Sequence, residues 1–453
     1  MDAFAEHERK LEAPEGFALP DLGGEPLEPR AFTSVYHDTA GRSLAHAGIT
    51  LRRRIERGRS VWQLKLPAGD ARLELEEPGG PGAPPAALES LLAAHLRHGP
   101  VAPVAEIRTR RHGALVARRG ITAEVTIDEV SVMDALRVVE EFVELEVELN
   151  SGTPKQLDAI ARELEKAGAR PTNGMPKLFR VLRLPADDAT PADPLDALRG
   201  RLRRQLRAVL ADDPGTRLGR NPESLHDMRV AVRRARALLR AGEPLYTNDV
   251  SFLTEELRWL GKKLGAVRDL DVLVDRIRAE SQDLDAGPLL RELGQRRTRA
   301  RSSLLKALGT PRYFALLDRF ADEIETLAPS GSGATLDGLA GAQLKKLGRR
   351  VETTGADASD DELHALRKKG KRVRYAYELA ERDKVVRRAK AFQDVLGEHQ
   401  DSVVAEAALR ELATAGPDRA VVAGRLIERE HAARAKARAA WRPSWKKLRR
   451  ATT

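Results

Sequence analysis

A chain of 453 residues corresponds to roughly two to three domains at about 150 residues each, and 42% hydrophobic with 32% charged residues excludes a disordered chain. Cysteine is absent and aromatics are only 4%, which removes disulfides, thiolate chemistry and cysteine-held zinc and counts against a stacking platform for single-stranded nucleic acid. Charge is uneven: residues 1–189 hold 25 basic and 30 acidic side chains and residues 190–453 hold 53 and 38, so a net −5 is followed by a net +15.

Met1 to Lys10 lacks the basic, then apolar, then small-residue layout of a secretory signal, and no run nears about 18 apolar residues, so a cytoplasmic protein without a membrane span is expected. Glu6, Glu8 and Lys10 stand at spacing two, which on an extended strand sends all three to one face. The same period pairs Arg52 with Arg54, Gln63 with Lys65, Arg72 with Glu74 and Glu76, Thr126 with Asp128, and Glu144 with Glu146 and Glu148. The opposite faces of Ile49–Ile55, Val61–Leu66, Arg72–Glu76, Ala123–Asp128 and Phe142–Leu149 are apolar apart from Arg53, so these segments read as strands with one charged and one oily side. Helical periodicity marks Ala86–Leu96 and Pro154–Ala167, the second opened by Thr153 as N-cap and Pro154 at the first position. An antiparallel sheet with a solvated face satisfies this pattern. So does a barrel turned inside out, with helices over its oily exterior and a channel lined by both signs of charge. Like charges such as Glu144, Glu146 and Glu148 repel unless opposite charge lies between them, and a polyanion with a divalent cation supplies both counter-charges.

Glu6-His-Glu8-Arg-Lys10 is an ExExK strand, and with Arg52, Arg54, Lys65, Arg72-Leu-Glu74-Leu-Glu76, Asp128 and the Glu-rich strand, all in order over residues 1–185, it resembles the CYTH domain. The resemblance implies a triphosphate tunnel metalloenzyme: an eight-stranded antiparallel β barrel with covering helices, using Mg²⁺ or Mn²⁺ to hydrolyse a triphosphate or, in relatives, to cyclise a nucleotide. By position it implies that Glu6, Glu8, Glu146 and Glu148 hold metal, and that Lys10, Arg52, Arg54 and Lys65 grip phosphate oxygens. Asp128 and Glu76 join Lys10 and Lys65 among the expected catalytic residues. In Arg108-Thr-Arg110-Arg111 one basic residue should face inward, and strand parity leaves both Arg110 and Arg111 open. The family's late Ser-Lys element is present as Met175-Pro176-Lys177, with the lysine kept and the serine lost.

Residues 186–194, rich in proline and aspartate, are expected to link two domains. Beyond them the pattern is helical to about residue 445, with a Pro-Ser-Gly-Ser-Gly break near 329–335 and a basic tail at 446–453. His226-Asp-Met-Arg229-Val-Ala-Val-Arg233-Arg234-Ala-Arg236 aligns without gaps on His364-Ala-Leu-Arg367-Lys-Lys-Gly-Lys371-Arg372-Val-Arg374, and Leu264-Gly-Ala-Val-Arg-Asp269 follows the first as Leu396-Gly-Glu-His-Gln-Asp401 follows the second. At about 100° per residue, the first, fourth, eighth and eleventh positions of each motif share an arc of about 80°. A solvated Arg-rich face has this form, and either histidine can be a packing residue; two copies at identical spacing favour a ligand.

These motifs resemble the CHAD domain, the conserved histidine α-helical domain, over residues 195–445. That resemblance implies a pair of four-helix bundles related by pseudo-twofold symmetry and a basic groove that binds inorganic polyphosphate. The matching positions are His226, Arg229, Arg233, Arg234, Arg236, His364, Arg367, Lys371, Arg372 and Arg374, with Lys262, Lys263 and Arg268 as basic neighbours. The expected fold is thus α+β followed by all-α, and the expected function is metal-dependent hydrolysis of triphosphate or short-chain polyphosphate, tethered to polyphosphate or its granules. A non-catalytic polyphosphate binder is the alternative. A nucleotidyl cyclase and a nucleic-acid binder rank lower, the latter for want of base-reading or stacking signatures.

Overall fold

The computed structural model describes residues 2–14, 16–69, 71–172, 175–183, 191–355, 357–414 and 416–452. Two compact units emerge: Met1–Ala189 with Leu210–Ser224, and Thr190–Val209 with Leu225–Thr453. The expected helical domain from 195 to 445 therefore surrenders Leu210–Ser224 to the first unit, and part of the expected linker 186–194 lies outside the described residues.

In the first unit the chain runs β1 (Asp2–Glu6), β2 (Glu8–Glu12), β3 (Glu25–Pro26), β4 (Arg30–Asp38), α1 (Ser43–His46), β5 (Thr50–Glu56), β6 (Arg59–Ala68), β7 (Ala71–Pro78), α2 (Ala86–Leu91), β8 (Ala102–Arg118), β9 (Ile121–Asp134), β10 (Arg137–Ser151), α3 (Pro154–Lys166), β11 (Arg170–Pro171) and α4 (Lys177–Leu182). All pairings are antiparallel, in the order β1-β7-β6-β5-β4-β8-β9-β10-β2-β11, with β3 beside β8. The expected eight strands are therefore eleven among the described residues, and the ladder itself does not close. Its two flanks nevertheless meet in the chain, because β1 pairs β7, β2 pairs β10, and only His7 separates β1 from β2.

Tight turns fix which residues face inward. Arg57-Gly58 and Arg119-Gly120 all have positive φ, the conformation of two-residue hairpins whose twist matches the strands they join. They set Arg52 opposite Gln63 and Arg111 opposite Asp128. A Cβ at Gly113 would stand 2.1 Å from the Val125 carbonyl oxygen, so only glycine lets β8 approach β9 at that point. The oily faces pack outward, away from the charged ones. Leu51, Trp62, Leu64 and Leu75 lie fully buried with Leu44 of α1 and Leu88 of α2, joined by Leu210 and Leu218. Val125, Leu145 and Val147 pack on Leu157, Ile160 and Leu164 of α3, which opens with Thr153 as N-cap and Pro154 at the first position, as the sequence predicts, and adds a capping box from Gln156. Burial of each such large side chain stabilises by about 1.5–3 kcal/mol, which pins the charged faces to the interior.

The second half is helical: α5 (Pro194–Leu218), α6 (Pro222–Gly242), α7 (Ser251–Glu280), α8 (Gly287–Leu308), α9 (Pro311–Thr326), α10 (Leu336–Glu352), α11 (Asp360–Leu379), α12 (Asp383–Ala413) and α13 (Pro417–Arg450). The predicted break lies between α9 and α10, where Gly331 and Gly333 have positive φ. One core joins α10 and α11 to Phe392 and Leu396 of α12 and Trp441 and Trp445 of α13; another joins α7 and α8 to Leu409 of α12 and Leu426 of α13. Because α12 and α13 serve both, the cores are not those of two independent four-helix bundles. The expected basic tail is also structured: α13 runs to Arg450 and buries Leu448.

Candidate functional site: a charged cavity and a basic groove

The inward faces of β1, β2 and β4 to β10 enclose a cavity of about 250 Å³. Among the described residues it is lined by eight cations, Lys10, Arg30, Arg52, Arg54, Lys65, Arg72, Arg111 and Lys177, and eight carboxylates, Glu6, Glu8, Glu74, Glu76, Glu124, Asp128, Glu146 and Glu148. The volume lies below the range of about 300–1,000 Å³ usual for drug-sized ligands and suits a short chain of small charged groups.

The charges interlock. Lys65 Nζ donates to both oxygens of Glu6 at 2.5 and 2.7 Å and meets Glu74 at 3.0 Å. Lys10 donates to Glu146 and, at 3.1 Å, to Glu144. Burial pulls on the Lys10 ammonium, but Glu146, Glu8 and Glu144 outweigh it and hold its pKa well above the ordinary lysine value. Arg111 takes both oxygens of Asp128 at 2.7 and 2.6 Å and also reaches Glu146. Lys177, at the first turn of α4, meets Glu144, Glu146 and Asp128 at 2.5, 2.7 and 2.9 Å. Burial disfavours the charged form of Glu146, yet Lys10, Lys177 and Arg111 hold its pKa well below the usual carboxylate range. Two arginines stand differently. Burial lowers the pKa of Arg54 and Arg72, and Arg52 and Arg111 repel Arg54 further while it lies over the Phe32 ring at 4.0 Å.

Each barrel residue predicted from sequence lines this cavity except Arg110. Register decides the open pair: Arg111 stands opposite Asp128 and faces inward, whereas Arg110 is exposed on the outer face. Absence of the family serine does not displace Lys177, since Pro176 opens α4 and the helix start delivers the amine. Sequence reasoning did not assign Ser34 and Tyr36, which line the cavity from β4, Tyr36 accepting a hydrogen bond from Arg52 at 3.3 Å. Arg72 and Glu74 also line it; their spacing with Glu76 carried the signal.

In the helical half, Arg233, Arg367, Lys371 and Arg374 converge on a groove of about 270 Å³ together with Tyr375, Asp394, Glu398 and Asp401. Arg229 donates to Asp269 at 2.8 Å and Arg233 donates to the Tyr375 hydroxyl at 3.0 Å. Burial, then Arg367, Arg233 and Arg229, push the Lys371 amine down to about 7. Each duplicated Leu-Gly dipeptide lies beside the arginine of its own copy: a Cβ at Gly265 or Gly397 would make an ordinary contact, 3.7 Å, with the guanidinium of Arg229 or Arg367. His226 and His364 are half-buried on α6 and α11, and burial lowers the His364 pKa. Arg234 faces Glu378 at 3.7 Å, Arg236 lies near Arg240 and Arg258, and Arg372 near Arg240, all away from that groove. Lys262 is exposed, Lys263 donates to Ser303 at 3.1 Å on α8, and Arg268 is partly buried on α7. The stripes thus divide, with only part of each reaching the shared groove.

The CYTH domain model matches residues 5–179 and the CHAD domain model matches residues 200–410. The chain belongs to the CYTH–CHAD family. The Mycobacterium tuberculosis protein Rv2226 is 34% identical over 91% of this chain and 90% of its own length. Among solved structures, the CHAD domain from the plant Ricinus communis is 27% identical, with 56% of this chain and 92% of that one covered at a TM-score of 0.48. The Hippeastrum protein HpAC1, described as having a dominant triphosphatase activity, is 16% identical, with 41% and 100% covered at a TM-score of 0.27. No helix among the described residues is long and apolar enough to cross a membrane.

CYTH proteins are metal-dependent. Among the described residues of this CYTH–CHAD chain, no three Asp, Glu or His side chains are gathered at ligating geometry. The donor set still fits a hard cation. Glu8 stands opposite Glu148 across β2 and β10, and Glu148 takes no part in the ion pairs that hold Glu146. Burial and the charges of Glu6 and Glu146 push the Glu148 carboxyl up to about 7, a crowding that a divalent ion held by carboxylate oxygens relieves.

Proposed function

We propose that the CYTH unit hydrolyses inorganic triphosphate or short-chain polyphosphate and that the CHAD groove binds longer polyphosphate. The observation that carries the first part is the enclosed cavity in which Lys10, Arg52, Arg54, Lys65, Arg72, Arg111 and Lys177 converge, with Phe32, Ile107 and Pro176 its main apolar lining among the described residues. Phosphate oxygens entering it exchange with the carboxylates now paired to Lys10, Lys65 and Arg111. The cavity is balanced in sign, so an incoming triphosphate makes it negative, and Glu6, Glu8 and Glu148 would hold the Mg²⁺ or Mn²⁺ that restores the balance. When bound, such an ion would supply a lowered pKa for water and screening of the phosphoryl oxygens. Glu146 is already committed to three cations and serves by fixing their positions. Water adds to the terminal phosphorus as the phosphoanhydride P–O bond breaks, and the Lys and Arg side chains take up the charge that gathers on the departing oxygens.

For the CHAD groove the support is the crowding of Arg229, Arg233, Arg367 and Lys371, a repulsion that an anion of repeating single charges and no bases removes. Binding there raises the local concentration of chain ends available to the CYTH unit and tethers the protein to polyphosphate or its granules. Phosphate release from tripolyphosphate, ATP and thiamine triphosphate, with and without Mg²⁺, tests the hydrolytic part. Wild-type protein should release phosphate from tripolyphosphate only with metal and Glu8→Ala should lose it; equal release by both would remove the assigned role.

A further inference from the structure

The two copies of the histidine-led unit do not carry equivalent charge. Leu264 on α7 corresponds to Leu396 on α12, and Asp269 corresponds to Asp401. Each aspartate serves the arginine of its own copy: Asp269 accepts from Arg229 at 2.8 Å, and Asp401 is the charge that most supports Arg367. Two residues before the shared leucine, however, α7 has Lys262 where α12 has Asp394, and two residues after it α7 has Ala266 where α12 has Glu398. All four are exposed. Asp394 and Glu398 line the groove with Arg367 and Lys371, while the helical period puts Lys262 on the α7 face that carries Gly265 and Asp269 beside Arg229. The scaffold is therefore repeated, while the rim carries a lysine on α7 and two carboxylates on α12, of which Glu398 also accepts from Arg276 at 2.8 Å.

We infer that Asp394 and Glu398 make the groove one-sided, repelling polyphosphate from the α12 rim so that the chain is held by the four central cations and the α6–α7 side. This rests on the polyphosphate-binding reading of the groove and adds to it a determinant of how much chain is bound. Like charges at a binding rim act on affinity and orientation through the summed field, and their effect is strongest at low ionic strength. Rim carboxylates at these places reduce the number of phosphates neutralised at once, which keeps a long chain releasable.

The test uses the full chain with sodium polyphosphate of about one hundred phosphates, titrated at several salt concentrations. Asp394→Lys, which copies the first half onto the second, is expected to tighten Kd about tenfold at low salt and to steepen the log Kd against log salt slope by about 0.7, as neutralising one further phosphate would. Glu398→Gln should tighten binding a few-fold, and its departure leaves Arg276 still held by Glu430 at 2.6 Å. Lys262→Asp should weaken binding about as much as Asp394→Lys strengthens it. Unaltered Kd and slope in Asp394→Lys and Glu398→Gln, in folded variants of a wild type that binds, would overturn the one-sided groove alone. A wild type that does not bind polyphosphate would overturn the binding reading first and the one-sidedness with it.

Discussion

Single side chains here are set by the charges placed around them. Lys65 bridges Glu6 and Glu74 inside the cavity, and removal of one pre-organised cationic donor from a phosphoryl-transfer site costs on the order of 3 kcal/mol, or about a hundredfold in rate. Lys65→Ala should lower kcat for tripolyphosphate by about that factor, read from steady-state phosphate release. Lys371, pushed down to about 7 by burial and three arginines, gives a pH dependence whose sign is fixed. A bound polyanion favours the ammonium and raises its pKa, so binding takes up a proton wherever the free amine is neutral. Polyphosphate affinity should then fall as pH rises above about 7, and Lys371→Arg should flatten the profile in titrations from pH 6 to 9. Where charge alternates with apolar side chains, as at Lys65, Glu74 and Glu146, the period put the charged residues on the face that lines the cavity. Sequence reasoning missed Ser34 and Tyr36 because both faces of β4 mix polar and apolar residues, Arg30, Phe32, Ser34, Tyr36 and Asp38 on one and Ala31, Thr33, Val35 and His37 on the other, so period two gave no contrast there.

Elements decide whether those side chains arrive. Parity along Arg108–Arg111 could not choose between neighbouring arginines; the Arg119-Gly120 turn and the pairing of β8 with β9 did. Gly113 belongs to the same hairpin, and Gly113→Ala forces a Cβ against the Val125 carbonyl and the Thr126 backbone. A loss of about 1–3 kcal/mol is expected, seen as a lower Tm together with reduced phosphate release, since β8 carries Arg111. In the helical half, α11 opens with a Ser359–Glu362 capping box and carries His364, Arg367, Lys371 and Arg374. Ser359→Ala should cost about 1 kcal/mol of stability, measurable by denaturant unfolding of the full chain.

At the scale of the whole molecule, enclosure separates two electrostatic behaviours. The cavity cations Lys10, Arg111 and Lys177 are 7, 13 and 8% exposed and paired with carboxylates, whereas Arg229 beside the half-buried groove cations is 27% exposed, and the Debye length of about 8 Å at physiological ionic strength screens exposed charge more than buried charge. Polyphosphate retention by the full chain should fall steeply between about 50 and 200 mM salt, while phosphate release from saturating tripolyphosphate changes little over that range. Parallel salt series for binding and turnover check this, and equal slopes would place both activities on exposed charge.

By itself the sequence determined the family, the change from strands to helices, the one charged face of each strand, the break before α10 and the duplicated helical motif, because each is written in local periodicity or in residue order. The tertiary structure decided what depends on contacts between distant segments. It settled Arg111 over Arg110, gave Leu210–Ser224 to the first unit, seated Lys177 without its serine, shared α12 and α13 between two cores and sent Arg234, Arg236 and Arg372 away from the groove. Period and spacing state which face of an element a residue occupies; only packing states what that face meets.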